Sequence, residues 1–275
     1  MIGIACVWLI AADGVGGASL SDDRGGYHWP VKILVIGASD SDGSNLPDPA
    51  QGWLATLERE LPPRIGETVE LPYVRFYTYV PGAQAYVDRE VSRHKPDVTI
   101  VAATAAGFAY PMVGGRLIRL LGWRTGRRFE RRIHSWDAAV RHSDGPKRRL
   151  HDSAQFIARH TIGASGYSTL EATVDGYGGL IERLARDEQT RVVIMGATHP
   201  AGALREQAPK AATAIDQFNI LLAAKTRSHH FEWLDRQALT APLAADEVMQ
   251  RDGLHKTGAF HRQIADALLG LLSPG

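Results

Sequence analysis

Val31 to Gly37 constrains this chain more than any other stretch: it is a continuous apolar run, broken only by Lys32, that ends at a glycine and gives way to the polar cluster Ser39 to Asn45. A strand buried on both faces reads this way, and such strands belong to parallel sheets covered by their own crossover helices. The pattern then repeats. Trp53, Leu54, Leu57 and Leu61 recur at helical spacing, which predicts a helix stopped by Pro62 and Pro63. A second strand is predicted from Leu71 to Val80, after which Pro81 and Gly82 turn the chain into a helix through about His94. Val98 to Ala103, introduced by Pro96 and Asp97, reads as a third strand. A helix around Leu170 to Leu184 leads into a fourth strand, Arg191 to Thr198, and Phe231 to Leu234 is a short fifth. Gly258 to Leu272 closes the chain as an amphipathic helix with Ile264, Leu268 and Leu271 on one face. Strands alternating with helices imply right-handed crossovers and an α/β fold on a parallel sheet.

The 275 residues, 44% hydrophobic and 22% charged, are enough for one domain with a sheet covered on both faces. A formal net charge of +1 gives no global reason to expect nucleic acid or a membrane as partner. The lone cysteine, Cys6, excludes an intrachain disulfide and a cysteine-built zinc site. No apolar run approaches the length of a membrane span. Residues 1–30 are expected to be a poorly ordered extension ahead of a domain at 31–275. Ile2 to Ala12 has the length of a signal-peptide core, but no Lys or Arg precedes Arg24, and Gly3 with so early a Cys6 does not fit a lipoprotein leader. A cytoplasmic location is therefore expected. Secretion is the alternative, with residues 1–18 acting as an atypical signal peptide.

Between the third and fourth strands lies an insert at about 107–166, far longer than a usual connection and rich in arginine from Arg116 to Arg149. It is expected to be a lid or arm that attracts an anionic partner. The alternative is a solvated face balanced by acids elsewhere.

Two places carry chemistry. Ser39 sits just beyond the carboxyl end of the first strand, where open parallel sheets bind their ligands. Far along the chain, Asp252, Gly253, Leu254 and His255 precede the closing helix. A carboxylate three residues before a histidine can hold one ring nitrogen and leave the other free for a serine. The spacing of Gly37, Ser39 and Gly43, the order Ser then Asp then His, and the pair Phe260 and His261 before the last helix together resemble the SGNH or GDSL hydrolase superfamily.

That resemblance implies a three-layer α/β/α fold of flavodoxin-like type with a parallel five-stranded sheet. It also implies a serine esterase acting on a small-molecule, lipid or acylated-sugar ester through an acyl-Ser39 intermediate. His255 would remove the serine proton and Asp252 would orient His255. The amides of Ser39 and Gly82, with Thr104, would hold the oxyanion, and no metal or organic cofactor is required. The insert points to an anionic substrate. The chain departs from the superfamily at Ala38, which replaces an Asp, and at Ala103 to Phe108, where no Asn or Gln follows the third strand. A weakly active or silent binding protein of the same fold, and an acyltransferase acting on a sugar hydroxyl, remain as alternatives. Thr198 and His199 are expected to shape the pocket, and His261 to be structural. His229 and His230 lack a third metal ligand, and Gly176 to Gly179 lacks the strand and lysine of a phosphate loop.

Overall fold

The computed structural model describes residues 30–110, 112–140, 145–161 and 164–273. The expectations for the N-terminal extension fall outside the described residues. In chain order the elements are β1 (Val31–Gly37), α1 (Trp53–Ile65), β2 (Val69–Glu70), β3 (Tyr73–Arg75), α2 (Ala83–His94), β4 (Val98–Ala102), α3 (Val113–Val140), α4 (Pro146–Thr161), α5 (Leu170–Leu184), β5 (Arg191–Met195), α6 (Gly202–Gln207), α7 (Ala211–Ser228), β6 (Glu232–Leu234), α8 (Ala245–Val248) and α9 (Gly258–Leu272).

Every strand pairing is parallel, in the order β2, β1, β4, β5, β6, with β3 also paired to β1. The alternation of side chains along the strands builds two cores. Leu34 and Ile36 of β1, Val101 of β4 and Ile194 of β5 face Val87 of α2, Tyr177 and Leu180 of α5, and Ile215, Phe218 and Leu222 of α7. Ile33 and Val35, Ile100 and Val193 face Trp53, Leu57 and Leu61 of α1 and Phe260, Ile264 and Leu268 of α9. A sheet buried on both faces needs continuous apolar strands, as β1, β4 and β5 supply. The architecture is therefore three-layer α/β/α.

Two boundaries differ from the sequence expectation. The strand predicted from Leu71 to Val80 is only β3, Tyr73–Arg75, and the unpredicted β2, Val69–Glu70, precedes it, so six strands fill five positions in the sheet. Pro72 interrupts them because it has no N–H to donate, yet its carbonyl still accepts from Val35 N at 2.9 Å. Beyond Phe76 the chain turns, Val80 N closing on Tyr77 O at 3.0 Å. The helix expected to stop at Pro62 runs on through both prolines and ends at Gly66, whose positive φ of 73° allows its N–H to close on Pro62 O. Helix α7 has no counterpart in the sequence reading. The insert is not a loop but the two helices α3 and α4, joined to the body where Met112 and Ser165 pair as an antiparallel bridge.

His261 is structural, as expected. It is 1% exposed, and its Nδ1 accepts from Trp53 N at 3.2 Å, which ties α9 to the start of α1. Burial, helped by the positive charge of Lys256, lowers its pKa from 6.5 to about 4. The unfolded chain takes up this proton first as pH falls, so the stability it confers is present above about pH 6.5 and lost on the way to pH 4. A fall from 6.5 to about 4 corresponds to roughly 3 kcal/mol. Chemical denaturation between pH 7 and pH 4 should show this loss. His261→Gln, which keeps an acceptor for Trp53, should flatten the slope across that window.

Candidate functional site

At the carboxyl ends of β1, β4 and β5 the loops enclose a half-open cavity of about 70 Å³. Ser39, Thr104 and His255 line it, together with Tyr77, Asp40, Arg236 and Lys256. Ser39 and His255 are 216 residues apart in sequence and line the same cavity, since α9, just after His255, packs on the face of the sheet that holds β1. The adjacent serine, Ser41, is fully buried and does not line the cavity.

The loop carrying Ser39 is held from several sides. Gly37 is required, because a Cβ there would lie 2.3 Å from Ser41 Oγ. Where the superfamily places an Asp, Ala38 is buried, and its carbonyl accepts from the Tyr73 hydroxyl at 2.6 Å. Asn45 Nδ2 donates to Ser39 O at 3.0 Å, and Arg75 binds Asp42 at 2.6 Å.

On the opposite wall, His255 Nδ1 is 2.5 Å from Asp252 Oδ2. An ionised carboxylate only accepts, so Nδ1 carries the proton and Nε2 is left as an acceptor. The other oxygen, Oδ1, accepts from the amides of Leu254 and His255, both at 2.9 Å. Burial alone would raise the Asp252 pKa, but the hydrogen bond and charge of His255 and the two amides outweigh it and hold the carboxyl at about 2. Gly253 between them is also required: φ is 69°, and a Cβ would approach Ala201 O to 2.0 Å.

The expected oxyanion donors are placed unevenly. Ser39 N does not point into empty space but donates to the Tyr77 hydroxyl at 3.2 Å. Thr104 lines the cavity, its N–H donating to Tyr177 and its Oγ1 accepting from Ala106 N at 3.2 Å, so the Thr104 hydroxyl proton remains to be donated. Gly82 is not brought to the cavity. It caps α2 with φ 78°. Tyr77, from the turn after β3, stands at the Ser39 amide, and local sequence spacing gives no sign of it. Thr198 lines the cavity, whereas His199 does not; its Nε2 lies 2.7 Å from Asp216.

The sequence reading also missed a buried charge cluster under the cavity. Asp40, next to Ser39, is bonded to the ammonium of Lys256, next to His255, and Arg236 Nη1 lies 3.7 Å from the same carboxylate. Arg236, 2% exposed, also donates to the carbonyls of Gly196 and Ala103 beyond the ends of β5 and β4. Burial would raise the Asp40 pKa, but the two cations hold it well below the carboxylate range. Burial lowers both cations, and the one shared carboxylate offsets this only in part. Among the described residues, no group of His, Cys, Asp and Glu is arranged to hold a metal ion.

No protein family model matches the sequence, and no curated protein matches it. Solved structures do. A mutant of an acetylxylan esterase from Geobacillus stearothermophilus aligns over 89% of this chain and 95% of its own, with a TM-score of 0.53 and 14% identity. TesA aligns over 88% and 97%, with a TM-score of 0.52 and 15% identity. An alpha/beta hydrolase from the metagenome of Lake Arreo, Spain, aligns over 88% and 96%, with a TM-score of 0.53 and 15% identity. At such identities the likeness is one of fold.

The charge cluster yields a stability test. Asp40→Asn leaves two buried cations without a carboxylate and should cost about 3–5 kcal/mol in urea denaturation. Asp40→Asn combined with Lys256→Met removes one charge of each sign and should regain part of that loss.

Proposed function

We propose, on the premise that the chain has the SGNH-hydrolase fold of the solved esterases it resembles, that it is a serine esterase acting through an acyl-Ser39 intermediate. The observation that carries this is the 2.5 Å contact between Asp252 and His255 on the wall of the cavity that Ser39 lines. With Nδ1 held by Asp252, His255 Nε2 takes the Ser39 hydroxyl proton as Oγ attacks the ester carbonyl. It returns that proton to the departing alcohol as the tetrahedral intermediate collapses. Water then repeats the sequence on the acyl-enzyme. Asp252, held ionised by its hydrogen bonds, stabilises the imidazolium that forms twice in the cycle.

The oxyanion takes the place of the Tyr77 hydroxyl at the Ser39 amide. Displaced sideways, the phenol turns from acceptor to donor and with Thr104 supplies the contacts that an asparagine amide gives elsewhere in the superfamily. Ala38, Ala103, Ala105, Ala106 and Ala197 wall the cavity. Small walls and a volume of about 70 Å³ favour a short acyl group such as acetyl.

A silent binding protein is the second reading, and the occupied Ser39 amide is the observation that favours it. A fluorophosphonate probe separates the two. Ser39 should be the labelled residue, and His255→Ala should abolish both labelling and hydrolysis of an acetyl ester in protein that still folds, with a lower unfolding temperature because Asp252 loses its partner. Absence of label in folded wild-type protein would leave the binding reading standing. Tyr77→Phe should lower kcat by roughly a hundredfold, the usual cost of one oxyanion donor, with a smaller effect on KM. An unchanged or higher kcat would make Tyr77 a plug instead of a donor.

A further inference from the structure

Helices α3 and α4 form an arm. They pack chiefly against each other, away from the sheet and its covering helices, and are tied to the body at the Met112 and Ser165 bridge. Gly115 makes that neck tight, since a Cβ there would lie 2.2 Å from Ser165 O. No described residue of either helix lines the cavity, so the arm is not closed over it as a lid. The neck nevertheless starts close by, because Ala106 and Tyr110 belong to the cavity wall.

The arm's surface is unlike the rest of the molecule in two ways. Of the nine large hydrophobic side chains that stand exposed among the described residues, six are here: Leu120, Leu121, Phe129, Trp136, Leu150 and Ile157. The span from Val113 to Thr161 also carries twelve Lys and Arg against four Asp and Glu, while the remaining chain carries 19 against 26. The net charge of +1 thus conceals a strongly basic arm on an acidic body. The two features interleave. Beyond the kink at Gly122, Phe129 and Trp136 are seven residues apart and share a face. Exposed Arg124, Arg128 and Arg132, spaced by four, form a row beside that face.

We propose that this arm docks on an anionic lipid surface, with the exposed apolar side chains entering the boundary below the headgroups and the arginines binding phosphate. Arginine alone fits any polyanion, but the aliphatic Leu120, Leu121, Leu150 and Ile157 gain nothing from a nucleic acid. A lipid interface takes both at once. A second arm is disfavoured as the occupant, because two such basic surfaces repel.

The test uses the purified full chain with vesicles of phosphatidylcholine alone or mixed with phosphatidylglycerol. Sedimentation should show binding to the mixed vesicles only, weakening as salt is raised, with a blue shift of tryptophan emission. Arg124→Gln, Arg128→Gln and Arg132→Gln together should weaken binding roughly a hundredfold. Phe129→Ser with Trp136→Ser, and independently Leu150→Ser with Ile157→Ser on the other helix, should each weaken it roughly tenfold or more. The unfolding temperature should be preserved in all three. Equal binding to both vesicle types, binding to neither, or variants that bind like the wild type would overturn the proposal. Salt-sensitive oligomers without lipid, lost in the same variants, would overturn it in favour of a second copy's acidic body. Tight binding to an oligonucleotide with none to vesicles would overturn it in favour of nucleic acid.

Discussion

Asp40 lies buried between Lys256 and Arg236, and the arrangement of the whole site depends on that contact. Its position explains why. Asp40 follows Ser39 and Lys256 follows His255, so the bridge joins the loops that carry the two proposed reacting groups. Arg236 extends the tie to the carbonyls beyond β4 and β5, so five segments of the chain are joined through one carboxylate and one guanidinium. A buried ion pair is weak evidence of stability, since apolar residues of similar volume often serve as well. Its value is in fixing geometry: charges of opposite sign have few ways to satisfy one another in a site with little water, whereas apolar side chains repack readily.

Much of the fold can be read in the sequence because a sheet covered on both faces demands it. β1, β4 and β5 confine their polar side chains, Lys32, Thr99 and Arg191, to their first two positions, and the rest of each run is apolar. The edge is different. β2 and β3 have a neighbour on one side only, and Pro72 and the polar residues around it are tolerated there, so the run Leu71 to Val80 gives the wrong extent. Helix α7 went unread although Ile215, Phe218 and Leu222 recur at helical spacing, because its end signals are weak, neither Lys210 nor His229 being a strong cap. The arm was visible as an insert but not as helices, because its apolar positions are diluted by arginine.

The site was legible where chemistry follows chain order and local spacing. Ser39 was placed by the end of β1, and Asp252 and His255 by three residues of turn closed through Gly253. What escaped depends on side chains from distant loops. Gly82 fits the superfamily's spacing, yet it caps a helix, and Tyr77 reaches the Ser39 amide instead. Asp40, Lys256 and Arg236 read as surface residues, since charged side chains are almost never fully buried unless paired. Pairing across 216 residues leaves no trace in either segment alone.

The same cluster bears on the absent asparagine. Lys256 and Arg236 share one carboxylate, Asp40, and all three line the cavity. In a partly enclosed site, fixed charge acts on developing negative charge more strongly than it does in bulk solvent. On the proposed function, an oxyanion at the Ser39 amide would form in the cavity that these two basic side chains also line. The hydroxyls of Tyr77 and Thr104 would then supply direction more than strength. Phenol and threonine hydroxyls can do that, because each rotates its proton toward whichever acceptor arrives.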